Sequence, residues 1–349
     1  MTATTLGEDL SARNGDLAGL TLRIFALSII AVCAGYLLNN YLTFWRDWPG
    51  IGNLFSHLQW FGAETLRNPF PEGAVLLGWL QILLYVLLIG IVVAYVLATS
   101  RRGLRVDAAH LSALAAFIIR TAFWSVLLIG VVDAVISFLR IEGFLSMFVG
   151  DKMTTELGLS RFRGAYVHYP LILVSLVIAF FTRTLGFAWL ALLVVVAELQ
   201  IVIARFIFSY EQAFMGDLVR FWYAALFLFA SAYTLTEEGH VRVDVLYAGF
   251  GERGKAWTNT IGSLLLGLPL CWIILTMGMS GRASVINSPL LSFETSQSGF
   301  GLYVKYLMAG FLAVFAVSMM VQFTSYFLQS VADLRGEPGK PKPPANPAP

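Results

Sequence analysis

Eight stretches of this chain are apolar over the length a helix needs to cross a bilayer, about 20 residues at 1.5 Å each. They run Leu20–Phe44, Val75–Thr99, Leu111–Leu139, Tyr166–Thr182, Leu185–Phe208, Leu218–Leu235, Trp257–Met279 and Tyr303–Leu328. In hydrocarbon every backbone N–H and C=O must find its partner within the protein, and a helix does this locally. The predicted fold class is therefore all-α, a polytopic transmembrane helical protein of about eight spans with interfacial amphipathic helices between them. Of 349 residues only 13% are charged and 58% are hydrophobic. Soluble domains carry about 25% charged residues, so this chain lacks the polar surface to cover itself in water. Only Arg183 and Thr184 separate the fourth and fifth runs. One kinked helix is the alternative there, although some forty apolar residues exceed an ordinary crossing.

Two connections are rich in aromatics. Trp45–Gly73 holds Trp48, Phe55, Trp60 and Phe70 beside His57, Glu64 and Arg67, and Ile141–His168 holds Phe144, Met147, Phe148 and Phe162 beside Arg161 and Arg163. Both compositions predict helices lying at headgroup depth, apolar side down. The first nineteen residues lack a basic segment followed by a short apolar core, so the N-terminus reads as retained and the first span as an uncleaved anchor. With an even number of spans both termini share a side. That side holds the Arg101-Arg102-Arg105 cluster, Arg183, Arg253 and Lys255, and its excess of basic residues predicts cytoplasmic termini in an inner (plasma) membrane. Arg161 and Arg163, on the other side, argue mildly against this. The Pro/Gly-rich segment 332–349 reads as a disordered tail.

The chain has no C-x-x-C, no His-x-x-x-His, no phosphate loop and no nucleophile elbow, so soluble enzyme chemistry has no foothold. A net charge of +2 gives no field for nucleic acid. Cys33 and Cys271 lie inside apolar runs and read as free-thiol fillers. Charges inside spans are costly and each requires a reason. Arg120 and Asp133 share one run but lie about 20 Å apart along a helix, too far to pair. Glu198 and Arg205 are two turns apart on one face of the fifth run. Pairing with neighbouring helices or a partner subunit is the favoured reading over an ion pathway, which needs several titratable groups at graded depth. Haem ligation needs two imidazoles at matching depth on facing helices. His57 and His168 fall at one side, His110 and His240 at the other, and all four read as polar interfacial residues. Ala224, Ala225, Ser231 and Ala232 on the sixth run predict close helix packing.

From about Leu192 to Leu328 an ordered set of short features appears. The fifth run closes on Arg205-Phe206-Ile207-Phe208, Asp217-Leu218-Val219-Arg220 opens the sixth, and Gly239-His240-Val241-Arg242-Val243-Asp244 follows it. Two further helices flank the loop Leu291–Phe300. This order resembles the small membrane subunit of tripartite ATP-independent periplasmic (TRAP) transporters, the DctQ-type family. The chain departs from that pattern at Phe214-Met215-Gly216-Asp217, where the family usually has a Trp and one or two Glu residues. The resemblance implies a domain division into a membrane extension over 1–183 and a DctQ-like four-helix domain over 184–331.

The resemblance implies a non-enzymatic scaffold for a large (DctM-type) membrane subunit that moves as an elevator. That partner would carry the sodium coupling, leaving no cofactor for this chain. A periplasmic substrate-binding protein would deliver a carboxylate-type solute, and membrane lipids complete the partners. Arg205, Asp217, Arg220, His240, Arg242 and Asp244 are implied as structural or intersubunit contacts. Two alternatives stand beside it: a cytochrome-like anchor of a redox complex, and a self-contained secondary transporter. The latter calls for matching broken helices in two halves, and Pro170 and Pro269 show no such match in the sequence.

Overall fold

The computed structural model describes residues 17–62, 70, 73–183, 187–236, 247–296 and 301–339. Among these the regular structure is helical: α1 (Leu17–Trp45), α2 (Ile51–Leu58), α3 (Ala74–Ala98), α4 (Leu104–Ile141), α5 (Leu145–Leu157), α6 (Ser160–Phe181), α7 (Phe187–Ile207), α8 (Ala213–Thr236), α9 (Glu252–Gly278), α10 (Asn287–Ser292) and α11 (Lys305–Leu334). Helices α1, α3, α4, α6, α8, α9 and α11 are long and apolar enough to cross a membrane. The fifth predicted span falls on α7, whose 21 residues reach about 31 Å. Thr182 adopts extended backbone (φ −89°, ψ 131°) and ends α6 before α7 begins, so the fourth and fifth runs are two helices. The all-α polytopic class expected from the apolar runs is what the structure shows.

Two spans continue through prolines. A π turn over Gly164–His168 precedes Pro170 in α6, and one over Ser263–Gly267 precedes Pro269 in α9. A proline lacks an N–H and crowds the carbonyl one turn back. The widened turn relieves that crowding and the helix carries on. The prolines thus do share a local device, which the sequence did not reveal.

The chain divides into two compact units, one built from Met1–Ser112, Val243–Pro269 and Phe323–Pro349, the other from Ala113–Arg242 and Leu270–Gln322. Each draws on residues before and after 183. In the first, α1 packs on α3, and a buried ion pair ties α1 to the start of α4. Arg23 Nε donates to Asp107 Oδ2 at 2.6 Å, and its two Nη atoms donate to the Thr99 carbonyl and hydroxyl at 2.7 and 2.8 Å. Both charged side chains are fully buried. Arg105 reaches Asp333 Oδ1 at 2.6 Å and the Glu337 carbonyl at 3.0 Å. Helical order therefore runs past residue 332, where the tail was expected to begin, and residues 340–349 lie outside the described residues.

In the second unit the core joins Ile119, Phe123, Val126 and Ile129 of α4 to Phe221, Trp222 and Phe229 of α8 and Phe311 of α11. Small residues let helices close up: Ala197 and Ala204 of α7 and Ala225 and Ala232 of α8 are all buried. Gly130 serves the same end. A Cβ there would lie 2.5 Å from Trp222 Nε1, which donates to the Val126 carbonyl at 3.1 Å. Neither Cys33 nor Cys271 is in a disulfide, and both are buried, as expected.

Candidate functional site

The second unit holds a buried polar cluster centred on Asp133, which is fully inaccessible inside α4. Arg163 Nη1 donates to Asp133 Oδ1 at 2.8 Å and to Ser137 Oγ at 3.0 Å, while its Nε and Nη2 donate to the Leu157 carbonyl. Asp133 Oδ2 accepts the backbone N–H of Tyr303 at 2.8 Å. His168 lies with Nε2 3.1 Å from Asp133 Oδ1 and Nδ1 2.8 Å from the Tyr306 hydroxyl. With Asp133 ionised, the bonding assigns the proton to Nε2, so Tyr306 O–H donates to Nδ1. The Arg163 guanidinium also lies 4.1 Å from the Tyr303 ring centroid, a cation–π contact. Arg140 adds a 2.6 Å bond to the Tyr303 hydroxyl.

The π turn makes this convergence possible. In an α-helix, residues five apart point well away from each other, whereas the wider π turn brings Arg163 and His168 onto one carboxylate. Gly164 between them must be glycine, because a Cβ would sit 2.3 Å from the Phe293 ring and 3.1 Å from the Tyr306 hydroxyl. Gly164→Ala is expected to lower stability by about 1–3 kcal/mol through overpacking. Thermal unfolding in detergent measures this, and adding Phe293→Leu should return part of the loss. Equal melting of G164A with and without the second change would show that the ring is not the obstacle.

Two expectations are corrected here. Arg163 and His168 are buried partners of an intramembrane carboxylate rather than interfacial residues. Both ring nitrogens of His168 are engaged by protein groups, which leaves neither for a haem iron. The expected interfacial stretch is two elements, α5 and the first turns of α6, which begins at Ser160 because Arg163 is neutralised within the protein. Arg120 also differs from an isolated mid-membrane charge. Trp124, one turn away, donates from Nε1 to Thr182 Oγ1 at 3.1 Å, so Arg120 lies level with the end of α6.

A second polar group gathers around the α7–α8 turn and the approach to α11. Asp217 Oδ2 accepts Ser296 Oγ at 2.9 Å and the Leu302 N–H at 3.1 Å, and its other oxygen lies 3.7 Å from Arg220 Nη1. Asp217, Arg220, Ser296 and Lys305 line a polar cavity of about 320 Å³. Lys305 pairs with Glu294 at 2.6 Å, and Arg205 approaches Glu211 at 3.6 Å. Tyr210 O–H donates to Glu142 at 2.7 Å, and partial burial together with that carboxylate pushes the phenol pKa up. Asp217 is thus held by its own chain, while Arg220 and Arg205 are exposed. His240, Arg242 and Asp244 lie outside the described residues.

Helix α7 presents a third feature. Ala197, Ile201 and Ala204 face the protein, whereas Val195, Glu198, Leu199, Val202, Arg205 and Phe206 face outward. Glu198 is exposed midway along the helix. Residues 190–333 match the family model of tripartite ATP-independent periplasmic transporters, DctQ component. The C-terminal part of the chain is similar to the DctQ component over those residues. The match takes in α8 to α11 and nearly all of α7, close to the limits over which the sequence resemblance was seen, and covers less than half of the chain. No curated protein and no solved structure matches the chain at the same comparison. The Asp133 cluster straddles the start of the matched segment: Asp133, Arg163 and His168 precede it, and Tyr303 and Tyr306 belong to it.

Proposed function

We propose that this chain is the small membrane subunit of a TRAP-type secondary transporter, a scaffold rather than an enzyme or a complete carrier. The observation that carries the reading is Glu198, a carboxylate exposed at mid-span on the outer face of a DctQ helix. A bare carboxylate facing hydrocarbon is costly, and a polar group on a neighbouring transmembrane subunit removes that cost. The flanking Val195, Leu199, Val202 and Phe206 supply the apolar surface such a neighbour packs against, and the DctQ match supports the large (DctM-type) subunit as that neighbour. In this reading the large subunit carries sodium coupling and moves as an elevator. The polar cavity at Asp217 and Arg220 lies at the end facing a periplasmic binding protein that delivers a carboxylate-type solute. Both termini are then cytoplasmic in the inner membrane, and residues 1–183 widen the scaffold.

Co-expression with the large membrane subunit tests this. Glu198→Lys is expected to reduce co-purification at least tenfold while leaving the melting of the isolated chain unchanged, because Glu198 is exposed and makes no hydrogen bond or ion pair among the described residues. Undiminished complex yield from the E198K chain would sink the contact. Sodium-driven uptake by this chain alone in proteoliposomes would favour the self-contained transporter instead.

A further inference from the structure

The polar cavity between the starts of α8 and α11 lies wholly in the second unit, and Asp217, Arg220, Ser296 and Lys305 all line it. Its volume of about 320 Å³ is at the lower end of the range in which small ligands are held. The charges around it are not all engaged. Ser296 Oγ and the Leu302 N–H both donate to Asp217 Oδ2. Asp217 Oδ1 has only the Arg220 guanidinium, 3.7 Å away, which is ion-pair contact but beyond hydrogen-bond length. The Arg220 side chain is 77% exposed and makes no hydrogen bond among the described residues. Lys305 keeps two N–H donors beyond the one it gives Glu294. A carboxylate and a guanidinium thus line one cavity side by side, each with hydrogen bonds left to make.

The cavity lies where two spans begin. Asp217 and Arg220 fall within the first eight residues of α8, and Lys305 opens α11. Both helices are long and apolar enough to cross the membrane. On α8, Tyr223 and Phe227 follow Arg220 at the i+3 and i+7 positions, so the three share a face. Both rings are more than half exposed and in contact, with 4.6 Å between centroids. Exposed aromatics one and two turns further into a span than a basic residue mark the boundary between headgroups and hydrocarbon. The cavity is therefore at headgroup depth, where the polar groups at hand are those of phospholipids.

We propose that this cavity binds the headgroup of one phosphatidylethanolamine molecule. The phosphate accepts from Arg220 and Lys305, and the ammonium, two carbons away, donates to Asp217 Oδ1. The pair of opposite charges selects the headgroup. The quaternary ammonium of phosphatidylcholine has no N–H to give a carboxylate. Phosphatidylglycerol brings no cation at all, so Asp217 disfavours it. Neither the large subunit nor the transported solute takes part in the site, so it is tested on the isolated chain and stands or falls apart from the scaffold reading.

The test is native mass spectrometry of the full chain in detergent, titrated with each of the three phospholipids and with glycerophosphoethanolamine as the soluble headgroup. One retained phosphatidylethanolamine is expected, preferred over each of the other lipids by about fivefold, the worth of one ion pair at a partly exposed site. Arg220→Gln should weaken retention of all three lipids, since each carries the phosphate, and should melt with the wild type because the side chain is exposed. Asp217→Asn keeps an oxygen for Ser296 and the Leu302 N–H, and should erase the preference while phosphatidylcholine retention stays as it was. Equal retention of the three lipids by the wild-type chain overturns the proposal, whatever the variants do. So does an R220Q chain that holds phosphatidylethanolamine as tightly as the wild type. Glycerophosphoethanolamine held as tightly as the lipid would mark a site for soluble zwitterions, and would overturn it too.

Discussion

Asp133→Ala is expected to destabilise the chain by about 3–5 kcal/mol, the typical effect of removing one member of a buried ion pair and leaving its partner charged and uncompensated. Arg163 is fully buried and would keep only the Leu157 carbonyl and the Ser137 hydroxyl. His168 and the Tyr303 N–H would lose their acceptor at the same time. Thermal unfolding in a fixed detergent, read with the fraction of monodisperse protein, gives the size of the loss. Changing both partners to apolar residues, Asp133→Leu with Arg163→Met, should recover much of it, because the cost lies in the orphaned charge more than in the absent attraction. If the single variant melts with the wild type, the cluster contributes no net stability and this account of it fails.

Removing residues 1–183 is expected to have the larger effect, abolishing folding of the remaining chain. The segment that matches the DctQ model does not close its own core. Phe221, Trp222 and Phe229 pack in one cluster with Ile119, Phe123, Val126 and Ile129, all of which the deletion takes away. Trp222 also loses the Val126 carbonyl, and Tyr303 and Tyr306 lose Asp133 and His168. Expression of residues 184–349 alone should give aggregated or degraded protein, with folding restored when 1–183 is supplied as a separate polypeptide. A stable, monodisperse 184–349 fragment would mean that the extension is an independent module.

Span positions were legible because lipid imposes a length and a composition on any crossing. Each of the eight apolar runs fell on a helix, although seven of those helices, not eight, are long and apolar enough to cross, and several extend five to seven residues beyond the predicted run. The packing of small residues on α8 was legible for a similar reason. The similarity to DctQ was visible through ordered motifs, even though one of them, around His240, lies outside the described residues. Arg163 and His168 were misread because aromatics mixed with basic residues describe an interfacial helix and the start of a buried one equally well. The register shift of the π turn has no one-dimensional signature beyond the proline after it, and an α-helical register would have separated the two side chains. Arg23 and Asp107 are 84 residues apart, and nothing local in either sequence neighbourhood points to the other. Glu198 was visible as an intramembrane charge, but only the structure distinguishes a carboxylate turned outward from one turned in.

The Asp133 cluster also sets a schedule for synthesis. Its partners lie 30, 35 and 170 residues further along the chain. At about 5–20 residues per second, Arg163 emerges roughly 2–6 s after Asp133, and Tyr303 roughly 9–34 s after it. The ribosome therefore delivers α4 with an acid in it well before the last donor exists. Insertion of α4 together with α6 as a hairpin neutralises the acid early, and the final N–H closes over it only once α11 has entered the membrane. The carboxylate that stabilises the finished protein is thus a timing constraint during its assembly, met in two stages set by the order of the helices.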